Sequence, residues 1–130
     1  MYSQPHIDPR LKGLRVIVVE DETLVAILLE DMLTELGCDV VGTAHRVNKA
    51  LDLVERSTPD AAVLDVNIAG DEVYPVAQAL ADRNIPFVFA TGYGARGLQD
   101  SWRNRPIVQK PFHVEHLSRG LLAALGPAAA

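Results

Sequence analysis

Ala61-Ala62-Val63-Leu64-Asp65-Val66-Asn67 carries an apolar, strand-forming run straight into a lone carboxylate. A short continuous apolar run of this kind reads as a strand buried on both faces, the type found in parallel sheets. Three further runs repeat the pattern: Val16-Ile17-Val18-Val19-Glu20-Asp21-Glu22, Pro86-Phe87-Val88-Phe89-Ala90-Thr91-Gly92 and Pro106-Ile107-Val108-Gln109-Lys110-Pro111-Phe112. Each delivers polar, reactive residues just after its strand. In an open parallel α/β sheet the carboxyl ends of the strands share one edge, where ligands bind. An acidic pair, an aspartate, a hydroxyl and a lysine, distant in sequence, therefore meet there.

Working outward, short apolar runs alternate with helix-length segments from Arg15 onward, as expected for a parallel sheet covered by helices on both faces. Strands are predicted near 15–19, 39–42, 60–65, 86–90 and 106–109, and helices near 23–36, 46–57, 72–83, 95–101 and 113–125, in the order (βα)5. In the first helix Leu24, Ile27, Leu28, Met32 and Leu36 recur at helical spacing, so this stripe is expected to cover the sheet, with Gly37 as its C-terminal stop. The fourth helix is the weakest, because Gly92, Gly94 and Gly97 crowd its start. Residues 1–13, with Pro5, Pro9 and Gly13, read as a mobile or loosely docked tail, residues 14–126 as one domain, and 127–130 as a fraying end.

A chain of 130 residues with 48% hydrophobic and 22% charged residues suits one soluble globular domain. The net charge of −5 offers no basic face for nucleic acid, and no apolar run approaches the ~20 residues of a membrane span. A cytoplasmic location is the expectation. Cys38, the sole cysteine, cannot form an internal disulfide and is expected to pack as a small hydrophobe.

Glu20, Asp21 and Asp65 place three carboxylates in one crevice, an arrangement that calls for a cation. Mg2+ suits such oxygen ligands. Asp21 and Asp65 are the expected direct ligands, with Glu20 acting through water and the main-chain carbonyl of Asn67 adding an oxygen; zinc is disfavoured by the absence of cysteine and histidine from these runs. A carboxylate can also attack phosphorus to form an aspartyl-phosphate, and Asp65 is the best candidate. Lys110 would pair with Asp65 and then with a phosphoryl oxygen, and Thr91 would donate its hydroxyl to another. Taken singly, each of these residues has an ordinary alternative role: Asp65 or Asp21 as a helix cap, Thr91 in a turn, Lys110 and Glu20 as solvated charges. Their joint placement on one edge is what argues for a site.

With Glu20-Asp21, Asp65, Thr91 and Lys110-Pro111 in these positions, the chain resembles, from about Arg15 to Leu125, the receiver domain of bacterial two-component response regulators. The run from Pro86 to Gly94 resembles more narrowly the FAT GUY receivers, which include single-domain regulators. The resemblance implies a flavodoxin-like doubly wound sheet of strand order 2-1-3-4-5. It also implies Asp65 as phosphoacceptor, Thr91 and Lys110 as readers of phosphorylation, and Mg2+ held by Asp21, Asp65 and the Asn67 carbonyl. Asn67 and Tyr93 would flank the path of the water that removes the phosphoryl group, with Tyr93 as a shield. Two positions depart from the family pattern. Ile107 stands where many receivers carry the aromatic partner of the threonine, so the usual switch does not transfer directly. Ala69-Gly70 replace a common proline, which points to a looser loop after the third strand.

The resulting expectation is a single-domain response regulator, not an enzyme beyond catalysing its own phosphoryl transfer and autodephosphorylation. It would take the phosphoryl group from a sensor histidine kinase or a histidine phosphotransfer protein in a phosphorelay, and signal by protein–protein contact with a downstream target. Two rivals are a pseudo-receiver that binds without phosphorylation and a small phosphatase of the haloacid dehalogenase type. The latter family places its nucleophile after the first core strand with a second aspartate two residues on, where this chain has Asn67. A dinucleotide-binding enzyme is disfavoured because Glu20-Asp21-Glu22 stands where a glycine-rich phosphate loop belongs. His6, His45, His113 and His116 follow no ligand spacing and are expected to be structural or exposed; Trp102, just before the last strand, falls close to the surface that receivers present to partners, with edge packing as its ordinary alternative.

Overall fold

The computed structural model describes residues 8–127. Five parallel strands form one sheet in the order β2-β1-β3-β6-β7, from β1 (Arg15–Val19), β2 (Asp39–Ala44), β3 (Ala61–Asp65), β6 (Phe87–Thr91) and β7 (Ile107–Gln109). With the small hairpin of β4 (Asn67–Ile68) and β5 (Asp71–Glu72) set aside, this is the expected 2-1-3-4-5 order of the flavodoxin-like receiver fold. Four helices cover it: α1 (Thr23–Glu35), α2 (Val47–Ser57), α3 (Tyr74–Asp82) and α4 (Val114–Leu125).

Alternation along the central strands divides the core into two halves. Ile17, Val19, Ala62, Leu64, Phe87 and Phe89 pack with α2 and α3 on one face. Val16, Val18, Ala61, Val63, Val88 and Ala90 pack with α1 and α4 on the other, where buried Cys38 also lies. Burial pushes the Cys38 thiol up to about 11, consistent with an inert core residue. Leu11, within the segment read as a tail, is fully buried in this second cluster, and Gly13 N–H donates to the Gly37 carbonyl at 2.8 Å. Residues 1–7 and 128–130 of the expected tails, His6 among them, lie outside the described residues.

Three expectations need correction. In α1 the buried stripe is Ala26, Leu29 and Leu33, continued by Leu36, whereas Leu24, Ile27 and Leu28 are exposed, Leu24 to 82%. Apolar residues occupy both sides of this helix, so periodicity permits two phases, and the packing of Leu29 and Leu33 with Leu11, Val16 and Val18 selects one. The helix does stop at Gly37: at φ 91° it lets Cys38 N–H reach the Leu33 carbonyl and its own N–H reach that of Thr34, each at 3.0 Å, a Schellman arrangement.

The fourth helix is absent as an α-helix. Two 3-10 turns, Gly94–Gly97 and Asp100–Trp102, take its place, because Gly94 starts with a left-handed φ of 59° and buried Leu98 is extended between them. Nor is the chain after β3 loose. Asn67 pairs with Glu72 and Ile68 with Asp71 around Ala69-Gly70, both at positive φ (53° and 88°), the geometry of a tight two-residue hairpin turn.

Leu33→Ala should lower the unfolding free energy by about 2–5 kcal/mol, while Leu24→Ser should change it by less than about 0.5 kcal/mol, both measured by urea denaturation. Equal losses would contradict the observed phase of α1.

Candidate functional site

β1, β3 and β7 all run toward the same edge of the sheet, and their terminal residues converge there. Glu20, the residue after β1, has no solvent-exposed surface. Its main chain is fixed on both sides: Glu20 N–H donates to the Ala44 carbonyl at 3.0 Å, and His45 Nδ1 approaches the Glu20 carbonyl at 2.8 Å. A carbonyl only accepts, so His45 carries its proton on Nδ1 in this contact. The Glu20 carboxylate accepts from Glu22 N–H at 3.1 Å.

Asp65 ends β3. Its Oδ1 accepts from Val66 N–H at 2.7 Å and its Oδ2 from Lys110 Nζ at 3.2 Å, while the same ammonium lies 3.5 Å from Glu20 Oε2. Lys110 is further braced by the ring of Phe112, 5.9 Å from Nζ. Asp21 does not cap α1, whose N-cap is Glu22 without a side-chain bond; instead its Oδ2 accepts from Ala69 N–H at 3.0 Å and pins the hairpin to the acidic cluster. Glu20, Asp21 and Asp65 each offer an oxygen within 4.8 Å of the others'. Such a set of hard oxygen donors suits a divalent cation like Mg2+.

Electrostatics follows from this crowding. Burial first, then the Asp65 charge, raise the Glu20 carboxyl from its ordinary 4.5 to about 7, although Glu22 N–H and Lys110 pull the other way. Burial disfavours the Lys110 ammonium, but Asp65 and then Glu20 outweigh it, and its pKa is raised. The lysine therefore stays charged between the two acids.

Beside these groups opens a cavity of about 570 Å³ lined by Asp65, Asn67, Glu72, Thr91, Gly97 and Lys110, among others. Thr91, nearly buried at the end of β6, accepts from Tyr93 N–H at 3.1 Å through its Oγ1. Tyr93 borders the cavity yet is 80% exposed, so it is not packed against a neighbour. The Asn67 side chain, at the cavity wall, accepts from Gly70 N–H at 3.2 Å through its Oδ1. Ile107 lies apart from the cavity, against the aromatic half of the core. Of the expected site residues, Glu20, Asp21 and Asp65 thus cluster, Lys110 pairs with Asp65 and Glu20, Thr91, Asn67 and Tyr93 line the adjoining space, and Ile107 lies outside it. His45, His113 and His116 are exposed as expected.

Glu72 and Gly97 were not foreseen. Glu72 reaches the cavity because the hairpin folds it opposite Asn67. Gly97 approaches Thr91 so closely that a Cβ there would lie 2.7 Å from the hydroxyl. The glycine crowding after Thr91 was the only trace of this in the sequence.

Residues 16–120 match the family model of the response regulator receiver domain. The chain is 46% identical to SdrG from Sphingomonas melonis Fr1, whose solution structure superposes with a TM-score of 0.79 over 87% of this chain and 97% of that one. It is 32% identical to the response regulator PhyR from Brucella abortus, with a TM-score of 0.71 over 84% of this chain and 48% of that one. The transcriptional regulatory protein PdtaR of Mycobacterium tuberculosis is 32% identical over 79% of this chain and 52% of its own length. This chain thus spans about half the length of that curated relative. Among the described residues no helix is long and apolar enough to cross a membrane.

Glu20 binds its proton more tightly folded than unfolded, so it contributes stability below its unfolded value of 4.5 that is lost as pH rises through about 7. In metal-free buffer, raising the pH from 4.5 to 8 should therefore destabilise the wild type relative to Glu20→Gln by on the order of 2 kcal/mol. Denaturant titrations at both pH values measure this, and a pH-independent difference would contradict the burial of that charge.

Proposed function

Because the chain belongs to the response regulator receiver domain family, we propose that it accepts a phosphoryl group on Asp65 and signals through contact with another protein. The observation that carries this reading is Asp65 at the end of β3, with Lys110 Nζ at 3.2 Å and Glu20 and Asp21 clustered beside it. The donor would be a sensor histidine kinase or a histidine phosphotransfer protein, and the setting cytoplasmic. Similarity to SdrG over 97% of that chain supports the single-domain form of this proposal.

An Asp65 carboxylate oxygen bonds to phosphorus as the P–N bond to the donor histidine breaks, its electron pair leaving with the imidazole. Lys110 exchanges its contact with the Asp65 carboxylate for one with a phosphoryl oxygen. The Thr91 hydroxyl, whose oxygen now accepts from Tyr93 N–H, is free to donate its proton to another phosphoryl oxygen. Asp21 and Asp65, with Glu20 behind them and the Asn67 carbonyl alongside, would hold Mg2+. When bound, the ion would supply neutralising charge to the carboxylates and the phosphoryl oxygens. Asn67 and Tyr93 at the cavity rim would govern the entry of the hydrolytic water. Signalling would use the surface built from the 94–102 segment, β7 and α4, through a shift in population between two states.

Incubation with acetyl phosphate and Mg2+ should add one hydroxylamine-labile phosphoryl group by intact mass, lost in Asp65→Asn and on chelation of the metal. No adduct, under conditions that label another receiver, would favour the pseudo-receiver. Tyr93→Ala should shorten the lifetime of the adduct severalfold, since removal of the ring opens the approach to phosphorus; an unchanged or longer lifetime would remove Tyr93 from this role.

A further inference from the structure

With Ile107 in the place of an aromatic switch residue, the receiver reading leaves open how the state of Thr91 reaches the rest of the domain. The contacts around the cavity supply a route. Gly97 lies directly against the Thr91 hydroxyl, where an added Cβ would sit at 2.7 Å. Two residues on, Gln99 N–H donates to Tyr74 Oη at 2.9 Å. Tyr74 opens α3 and follows closely on the hairpin, whose Glu72 accepts from Gln99 Nε2 at 3.3 Å. The hairpin in turn is bonded to Asp21 through Ala69 N–H. The cavity beside Asp65 is therefore ringed by a chain of contacts that begins at Asp21 and ends at Thr91.

Tyr74 is also the centre of an aromatic cluster. It stacks on Trp102 at 6.1 Å with planes 15° apart and meets Phe89 edge-on at 6.2 Å. Trp102 touches Phe87 and Phe89 as well, and the Arg105 guanidinium lies 5.5 Å from its ring. Ile107 packs into this same half of the core. Between Thr91 and Trp102 the chain makes only short 3-10 turns joined by extended backbone at Leu98, a segment held more by these few bonds than by a helical ladder.

We propose that Tyr74 is the positioning residue that ties the Thr91 loop to the hairpin, and that its stack with Trp102 registers phosphorylation in place of the aromatic residue absent at 107. This rests on the reading of Asp65 as phosphoacceptor. When the Thr91 hydroxyl turns to a phosphoryl oxygen, Gly97 loses the surface it is packed against. The 94–99 segment then shifts, the Gln99–Tyr74 bond is strained or broken, and the packing of Trp102 on Tyr74 changes. Neither Tyr74 nor Gln99 lines the cavity, so both act through the loops and not on the reacting atoms.

The test follows Trp102, the only tryptophan, by fluorescence while intact mass records the adduct formed with acetyl phosphate and Mg2+. Two variants break the Gln99–Tyr74 bond from opposite sides, Gln99→Pro removing the Gln99–Glu72 side-chain bond as well. Tyr74→Phe removes the acceptor and keeps the ring. Gln99→Pro removes the N–H donor at a residue whose φ of −63° a proline adopts without strain, after Leu98 in the extended region proline requires. Wild type should show an emission change that tracks the adduct, and both variants should form the adduct with that change at least halved. An adduct without an emission change in the wild type, or variants that respond like the wild type, would overturn the role of Tyr74 alone. Absence of any adduct would overturn the phosphoacceptor reading and this one together. Should Tyr74→Phe fail to fold, Gln99→Pro decides the question.

Discussion

Lys110 stands 3.2 Å from Asp65 and 3.5 Å from a Glu20 carboxylate that has no access to water. Three acids within 4.8 Å of one another repel, and a buried carboxylate loses its hydration. One ammonium between two of them offsets part of that cost, and the raised pKa of Glu20 shows that a part remains. The remainder is what a divalent cation, and then a phosphoryl group, can exploit. An arrangement so costly persists because the sheet imposes it: β1, β3 and β7 are parallel and end at one edge, and their flanks are buried on both faces.

Around this fixed centre the structure grades from rigid to lightly held. The acids and Lys110 come from strand ends bound into the sheet. The hairpin is attached to them by the Asp21–Ala69 bond. The 94–102 segment is attached in turn by Gly97 against Thr91 and by Gln99 on Tyr74. A receiver needs this gradation, since chemistry demands positioned groups whereas signalling demands a part that moves for a small input.

The exposed Leu24, Ile27 and Leu28 form an apolar strip along α1, immediately after the acidic pair. That strip lies outside the core because the opposite side of the same helix already fills it.

Sequence by itself determined the parallel sheet and the edge on which Glu20, Asp21, Asp65, Thr91 and Lys110 gather, because the four runs that feed this edge are apolar and each gives way to polar residues; the strand order followed from the resemblance to receivers. It also marked where α1 ends, since the Schellman arrangement at Gly37 is a local matter of backbone freedom. Tertiary structure alone decided the phase of α1, where two apolar stripes compete and only packing against Leu11, Val16 and Val18 distinguishes them. It decided the 94–102 segment too, because a glycine-rich stretch has weak propensity and takes its shape from the Thr91 hydroxyl and Tyr74. Glu72 and the aromatic cluster of Tyr74 and Trp102 were invisible for the same reason: their partners are far along the chain, and a period read along one segment holds no information about what will pack against it.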